Sequence, residues 1–202
     1  MSGNYVINIG RQLGSGGKEI GEKLAARLGI DFYDKELINL ASEESGLCKE
    51  FFEKADEKAS QGIIGGLFGM RFPFISEGAM PCNNCLSNDA LFKVQSDVIR
   101  HLAAEKSCVF VGRCADYILE DIPNHLNVYV YAPDEARLKN CVENLQMDPQ
   151  TAKKMMRDVD AARNRYHKAY IPGWQSVFDH KDLMIDSSRF GIDGTAKILA
   201  DI

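Results

Sequence analysis

Apolar positions along this chain fall into short unbroken runs and longer stripes at helical spacing. Tyr5 to Ile9 is a β-rich run ending at Gly10, and Ile20, Leu24 and Leu28 follow a glycine cluster at i, i+4, i+8. This predicts a strand, a glycine-rich loop and a helix. Gly29 should stop the helix, since glycine tolerates the left-handed conformation just past a helix end. Ile30 to Tyr33 reads as a second strand and Lys35 to about Ser45 as a second helix. From there to about Ser87 the chain loses its period among glycines, prolines and asparagines, and reads as an insertion with helical pieces. Ser87 or Asn88 then caps a helix with the stripe Leu91, Val94, Val98 and Leu102. Cys108 to Val111 follows as an apolar strand of the kind buried on both faces.

The same unit recurs in the second half. Leu126 to Tyr131 predicts a strand, and Pro133-Asp134 opens a helix carrying Ala136, Leu138, Val142 and Leu145. Asp148-Pro149 opens another helix, Leu183 to Ile185 forms a last strand, and Asp193 starts a closing helix through Ala196, Ile198 and Leu199. Alternating strands and helices predict an α/β fold, a parallel sheet flanked by helices in a single domain over 1–202.

Composition narrows the function classes. At 202 residues, 45% hydrophobic and 26% charged, the chain has the make-up of one sizeable globular domain. The net charge of −5 disfavours a broad nucleic-acid face, which needs a dense basic field. The run from Gly62 to Met70 is far below the roughly 20 residues that span a bilayer. Asn8, Arg11 and Gln12 interrupt any export signal at the N-terminus, so neither membrane nor secretion is expected and the cytoplasm is. The cysteines at 48, 82, 85, 108, 114 and 141 then read as reduced thiols. The lone Cys82–Cys85 pair falls short of the four ligands that zinc prefers.

Candidate chemistry starts in the first loop. Gly10, Gly14, Gly16 and Gly17 lie within eight residues, with Lys18 directly behind. Glycines let backbone N–H groups curl around phosphate oxygens, a helix N-terminus adds its positive dipole end, and the lysine supplies a mobile cation. A tight strand-to-helix turn with a solvated lysine is the bland alternative. Four glycines exceed what such a turn requires. Against G-x-x-x-x-G-K-[ST], Gly17-Lys18 match, whereas Gln12 and Glu19 occupy the other two fixed positions.

Four segments together resemble the cytidylate kinase-like family of P-loop kinases over nearly the whole chain. They are Leu13 to Ile20, Phe32 to Ile38, Val109 to Tyr117, and Arg157-Asp-Val-Asp160 with Arg163-Asn-Arg-Tyr166. The resemblance implies a P-loop kinase-type parallel sheet, a helical acceptor-binding insertion near 45–87, and an arginine-bearing lid near 148–172. It also implies phosphoryl transfer from ATP, with Mg2+, to a nucleoside monophosphate, CMP the leading candidate. Gly14, Ser15, Gly16, Gly17, Lys18 and Glu19 would bind the donor nucleotide, and Lys18, Arg157 and Arg163 would act in catalysis.

On the acceptor side the expected residues are Asp34, Arg113 and Asp160. Asp34 follows the second strand, and an N-cap role for it is compatible with ligand binding. Arg113 stands at the end of an apolar strand, where its fork can grip a phosphate, with a surface salt bridge to Asp116 as the alternative. Arg157, Asp160 and Asn164 share a helix face, which otherwise reads as solvated Arg–Asp pairs. His167 and Trp174 are assigned to packing or lid surface. Metal binding falls to Ser15, to water or to Glu19, since Glu19 replaces the usual hydroxyl. Glu36 and Cys114 also depart from the cytidylate kinase pattern. Those departures motivate a second reading, a nucleotide-binding regulatory or interaction module that has lost acceptor chemistry, and a P-loop kinase for another small molecule is a further alternative.

Overall fold

A computed structural model describes residues 4–44 and 88–202. The expected insertion near 45–87, with Cys48, Cys82 and Cys85, lies outside them. Five strands form one sheet in the order β2-β3-β1-β4-β5, every pair parallel. They are β1 (Val6–Arg11), β2 (Asp31–Tyr33), β3 (Cys108–Val111), β4 (His125–Tyr131) and β5 (Leu183–Asp186). The described helices are α1 (Gly17–Leu28), α2 (Lys35–Glu44), α3 (Asn88–Glu105), α4 (Ala115–Ile118), α5 (Asp134–Leu145), α6 (Pro149–Tyr170) and α7 (Ser187–Ala200).

Both faces of the sheet are covered, which explains the unbroken apolar strands. In β3, Val109 and Val111 join Ile7, Ile9, Ile20 and Leu24 on the α1/α7 side. Cys108 and Phe110 point the other way, toward Ile38, Ile99 and Ala103. Each of the buried Val, Leu, Ile and Phe side chains among them contributes about 1.5–3 kcal/mol. A third, smaller cluster of Cys141, Ala152 and Met156 joins α5 to α6 and packs against Leu13. Among the described residues, no helix is long and apolar enough to cross a membrane.

Three sequence expectations shift. The buried face of α3 comprises Ala90, Val94, Val98, Ile99 and Ala103, with Leu91 and Leu102 only partly covered. α5 buries Arg137 and Cys141, because Arg137 turns inward to backbone and carboxylate partners. α7 begins at Ser187 rather than Asp193. Asp186 caps it by accepting the Ser188 N–H at 3.0 Å, and a break at Gly191, φ 66°, separates this first turn from the predicted segment.

Candidate active site

β1 is central, flanked by β3 and β4, so the chain leaves it on one side and later returns on the other. Ligand crevices of open α/β sheets lie at such switch points, at the carboxyl ends of the strands. The loop from Gln12 to Gly16 sits there. Gly14 has φ 81° and Gly16 φ 74°, both left-handed, and a Cβ on Gly14 would lie 2.6 Å from the Arg137 carbonyl oxygen.

Three consecutive carbonyls of this loop are held from behind. Leu13 O accepts from Arg137 Nε at 2.8 Å, Gly14 O from Asn140 Nδ2 at 3.0 Å, and Ser15 O from Ser187 Oγ at 2.7 Å. A trans peptide places the next N–H opposite its carbonyl. The N–H groups of Gly14 and Gly16 therefore point away from these side chains, as an anion-binding nest requires. The Ser15 N–H closes the turn on Gln12 O at 3.4 Å. Arg137, Asn140 and Ser187 were not singled out in the sequence. Arg137 and Asn140 fall outside the stripe predicted for their helix, and Ser187 precedes the helix predicted from Asp193, so the sequence carries no clear signal for them.

Lys18, in the first turn of α1, reaches across to the end of β2. Its ammonium lies 2.6 Å from Asp34 Oδ2 and 3.6 Å from Glu36 Oε2. The hydrogen bond to Asp34 raises the lysine pKa. Burial pushes the Asp34 carboxyl up, but Lys18, Glu36 and the Leu37 N–H together outweigh it and hold the group below its usual range. Asp34 also caps α2 by accepting the Leu37 N–H at 3.0 Å. Both readings of Asp34 are thus compatible in one side chain.

α6 lies directly on the loop. Asp160 accepts the Leu13 N–H at 2.8 Å, pairs with Arg137, and meets Arg163 at 3.3 Å. Arg163 also donates to the Arg11 carbonyl at 3.0 Å. Asp160, expected on the acceptor side, also ties helix to loop. Arg157 is exposed, with no ion pair among the described residues, whereas Arg163 is brought to the loop. Burial, the largest cause, lowers the Arg163 pKa despite the neighbouring Asp160.

After β3, Gly112, Arg113 and Cys114 all adopt left-handed backbone conformations, with φ of 83°, 61° and 56°. Arg113 stacks over the Tyr166 ring at 5.5 Å, and its Nε is buried without a hydrogen-bond partner. The alternative reading, an Arg113–Asp116 bridge, does not form. Asp116 is buried against Lys181 instead. Burial pushes the Cys114 thiol up to about 12, so it is no nucleophile.

A cavity of about 30 Å³ opens among Gly10, Arg11, Gly112, Tyr129, Arg163 and Lys181. Asp160, Asn164, His167 and Trp174 line it as well, and Trp174 also packs against the core cluster around Phe110. His167 Nδ1 lies 2.8 Å from the Arg163 carbonyl, and burial lowers its pKa.

The Ser15 hydroxyl, the expected metal contact, is buried and donates to Gln12 O at 2.9 Å. Glu19 is exposed on α1. Among the described residues, no three His, Cys, Asp or Glu side chains form a metal cluster. Asp34 and Glu36, beside Lys18, are the carboxylates that fit a cation carried on a nucleotide, which keeps most of its ligands from phosphates and water.

Comparison with known proteins bears on the fold and the family. An uncharacterized protein from Eubacterium ventriosum superposes with a TM-score of 0.71 at 24% identity, covering 98% of this chain and 97% of its own. Shikimate kinase from Bacteroides thetaiotaomicron superposes at 0.53 with 11% identity, covering 98% and 97%. Both likenesses concern the fold. No curated protein matches. The model of the cytidylate kinase-like family matches residues 6–189, which include the glycine loop, Asp34, Arg113 and the helix bearing Asp160 and Arg163, and the chain belongs to that family.

Proposed function

We propose that this protein transfers the γ-phosphoryl group of ATP to a nucleoside monophosphate, with CMP as the leading acceptor. The observation that carries the reading is the loop whose carbonyls are pinned behind it by Arg137, Asn140 and Ser187 while Lys18 stands at its mouth. Such a loop is set for phosphate before any ligand arrives, so little reorganisation accompanies binding. The N–H groups and the α1 dipole hold the donor phosphates. Lys18 follows the charge that develops on the transferred group. Arg113 grips the acceptor, and Arg163 stabilises the transition state from the lid side.

Mg2+ bound with the nucleotide would neutralise phosphate charge, and Asp34 and Glu36 are the residues placed to meet it. Asp160 acts by position, holding α6 and Arg137 against the loop. Arg157 would join the site only by a movement of α6. The test is ADP release across a panel of nucleoside monophosphates. Stimulation by one or two of them supports the reading. ATP binding without acceptor-stimulated turnover favours the nucleotide-binding module, for which the pairing of Lys18 with two carboxylates speaks.

A further inference from the structure

The first fixed position of the common phosphate-loop pattern is a glycine, and this chain has Gln12 there. Gln12 does not adopt a left-handed backbone, unlike Gly14 and Gly16, so the turn itself does not require glycine at this position. Its hydrogen bonds show what the longer residue does. The Gln12 N–H donates to Val130 O at 3.1 Å, next to the pairing of β1 with β4. Its carbonyl turns into the loop and accepts from the Ser15 N–H at 3.4 Å and from the Ser15 hydroxyl at 2.9 Å. Both backbone groups are then engaged, and the side chain makes the next contact. Oε1 accepts the Ala132 N–H at 3.2 Å.

Ala132 is buried just past the end of β4. A backbone N–H in such a place needs an acceptor, and Oε1 supplies it. The next residue, Pro133, precedes α5, and its carbonyl accepts the Arg137 N–H at 3.0 Å. Arg137 and Asn140 of that helix hold the carbonyls of Leu13 and Gly14. Gln12 thus fixes the root of the helix that holds the two loop residues after it. With Ser187 on Ser15 O, each residue from Gln12 to Ser15 is tied to the surrounding fold. The later ties use loop carbonyls. The Gln12 carbonyl is already engaged by Ser15, so the tie at position 12 has to use a side chain, and glycine has none.

We propose that Gln12 is a positioning residue for the triphosphate of the donor, acting through Ala132 and α5, so that restoring the pattern's glycine weakens ATP binding instead of improving it. The departure at position 12 is then part of a working loop and no sign of lost chemistry. The proposal rests on the donor half of the kinase reading above, the binding of ATP by this loop, and not on the identity of the acceptor. N–H groups that already converge need little ordering when phosphate binds, whereas a loop free to rock on α5 loses part of its binding free energy to being ordered. The Ala132 N–H also fixes the orientation of the amide, because only its oxygen accepts. Nε2 is left with no partner among the described residues.

The test is calorimetric titration of the full chain with ATP at high salt, together with amide hydrogen exchange at Ala132, on the parent, Gln12→Gly, Gln12→Met and Gln12→Glu. Gln12→Met keeps the length and loses the acceptor without adding glycine's freedom. Gln12→Glu keeps an oxygen for Ala132 and loses the Nε2 donors, and salt screens its charge from the phosphates. ATP affinity should fall about tenfold in Gln12→Gly and Gln12→Met and stay within about threefold of the parent in Gln12→Glu. The Ala132 amide should exchange about tenfold faster in the first two variants and at the parent rate in the third.

Parent-like or tighter ATP binding by Gln12→Gly and Gln12→Met overturns the proposal. Faster exchange at Ala132 or a lowered melting temperature, with ATP affinity unchanged, marks a purely structural contact and overturns it as well. An equal loss of affinity in all three variants, with Ala132 still protected in Gln12→Glu, assigns the effect to Nε2 and overturns the route through Ala132. Gln12-dependent ATP binding by a parent that phosphorylates no nucleoside monophosphate upholds the proposal and contradicts the acceptor. A parent that binds no ATP overturns both. Should Gln12→Gly fail to fold, the Gln12→Met arm decides by the same criteria.

Discussion

The Lys18 ammonium rests 2.6 Å from the Asp34 carboxylate, joining the first turn of α1 to the cap of α2. The lysine is about half exposed and the aspartate almost fully buried, so the carboxylate is the fixed partner and the lysine the mobile one. An incoming phosphate competes for a cation that is already aimed into the crevice.

Lys18→Ala should therefore lower turnover by about 100-fold or more while leaving the melting temperature within a few degrees of the parent. Steady-state kinetics and a thermal melt on the same sample check this. Parallel losses of stability and activity would mean that the lysine is part of a structural turn.

Two glycines separate loop function from helix geometry. Gly14→Ala places a Cβ 2.6 Å from the Arg137 carbonyl at φ 81°, a clash with backbone that the loop can relieve only by moving. It should destabilise by about 2–4 kcal/mol and abolish nucleotide binding. Gly29→Ala, at φ 64° but with nothing within 4 Å, should cost only about 1 kcal/mol and leave binding intact. Urea denaturation with ATP titration distinguishes the two.

The tie between α6 and the loop is the third target. Arg137 is buried, and Asp160 is its partner alongside the exposed Asp134. Asp160→Ala removes a part-buried carboxylate, takes one partner from the buried Arg137 and leaves the Leu13 N–H without its acceptor, which should lower stability by about 1–3 kcal/mol. ATP affinity should fall with it, because the loop loses its support from α6. A variant with parent-like urea midpoint and ATP affinity would contradict the positioning role.

Much of this framework was legible in residue order, because strand burial and helix caps are local. The run Cys108 to Val111, the Asp148-Pro149 cap and the Gly29 stop all match the structure. The glycine loop was readable for the same reason, since left-handed backbone at Gly14 and Gly16 demands glycine. Long-range polar partners were not. Arg137 and Asp160 are 23 residues apart, and Ser187 meets Ser15 across 172 positions. Arg137 lies outside the apolar stripe predicted for its helix, and nothing local says which carbonyl it will meet. The same limit explains Asp116, whose partner is Lys181 rather than its near neighbour Arg113.

His167 supplies the pH dependence. Burial lowers its pKa from the ordinary value of 6.5, so the unfolded chain takes up this proton more readily than the folded one. Stability from this group is complete above pH 6.5 and declines as pH falls from there toward the folded value, by at most about 1.4 kcal/mol per pH unit. His167→Gln should flatten that part of the profile. Denaturation midpoints at pH 7.5 and at about pH 5.5 compare the two proteins, and an unchanged slope would show that His167 does not contribute.

Phosphoryl transfer to a nucleotide is the central claim, and product identity tests it most directly. The chain is incubated with Mg2+, γ-labelled ATP and CMP, and the label is followed by chromatography. The account predicts label in CDP from the parent, its loss by about 100-fold or more in Lys18→Ala, and marked weakening at limiting CMP in Arg113→Lys. Label that stays in ATP or appears only as free phosphate, with CMP and with the other nucleoside monophosphates alike, would contradict it.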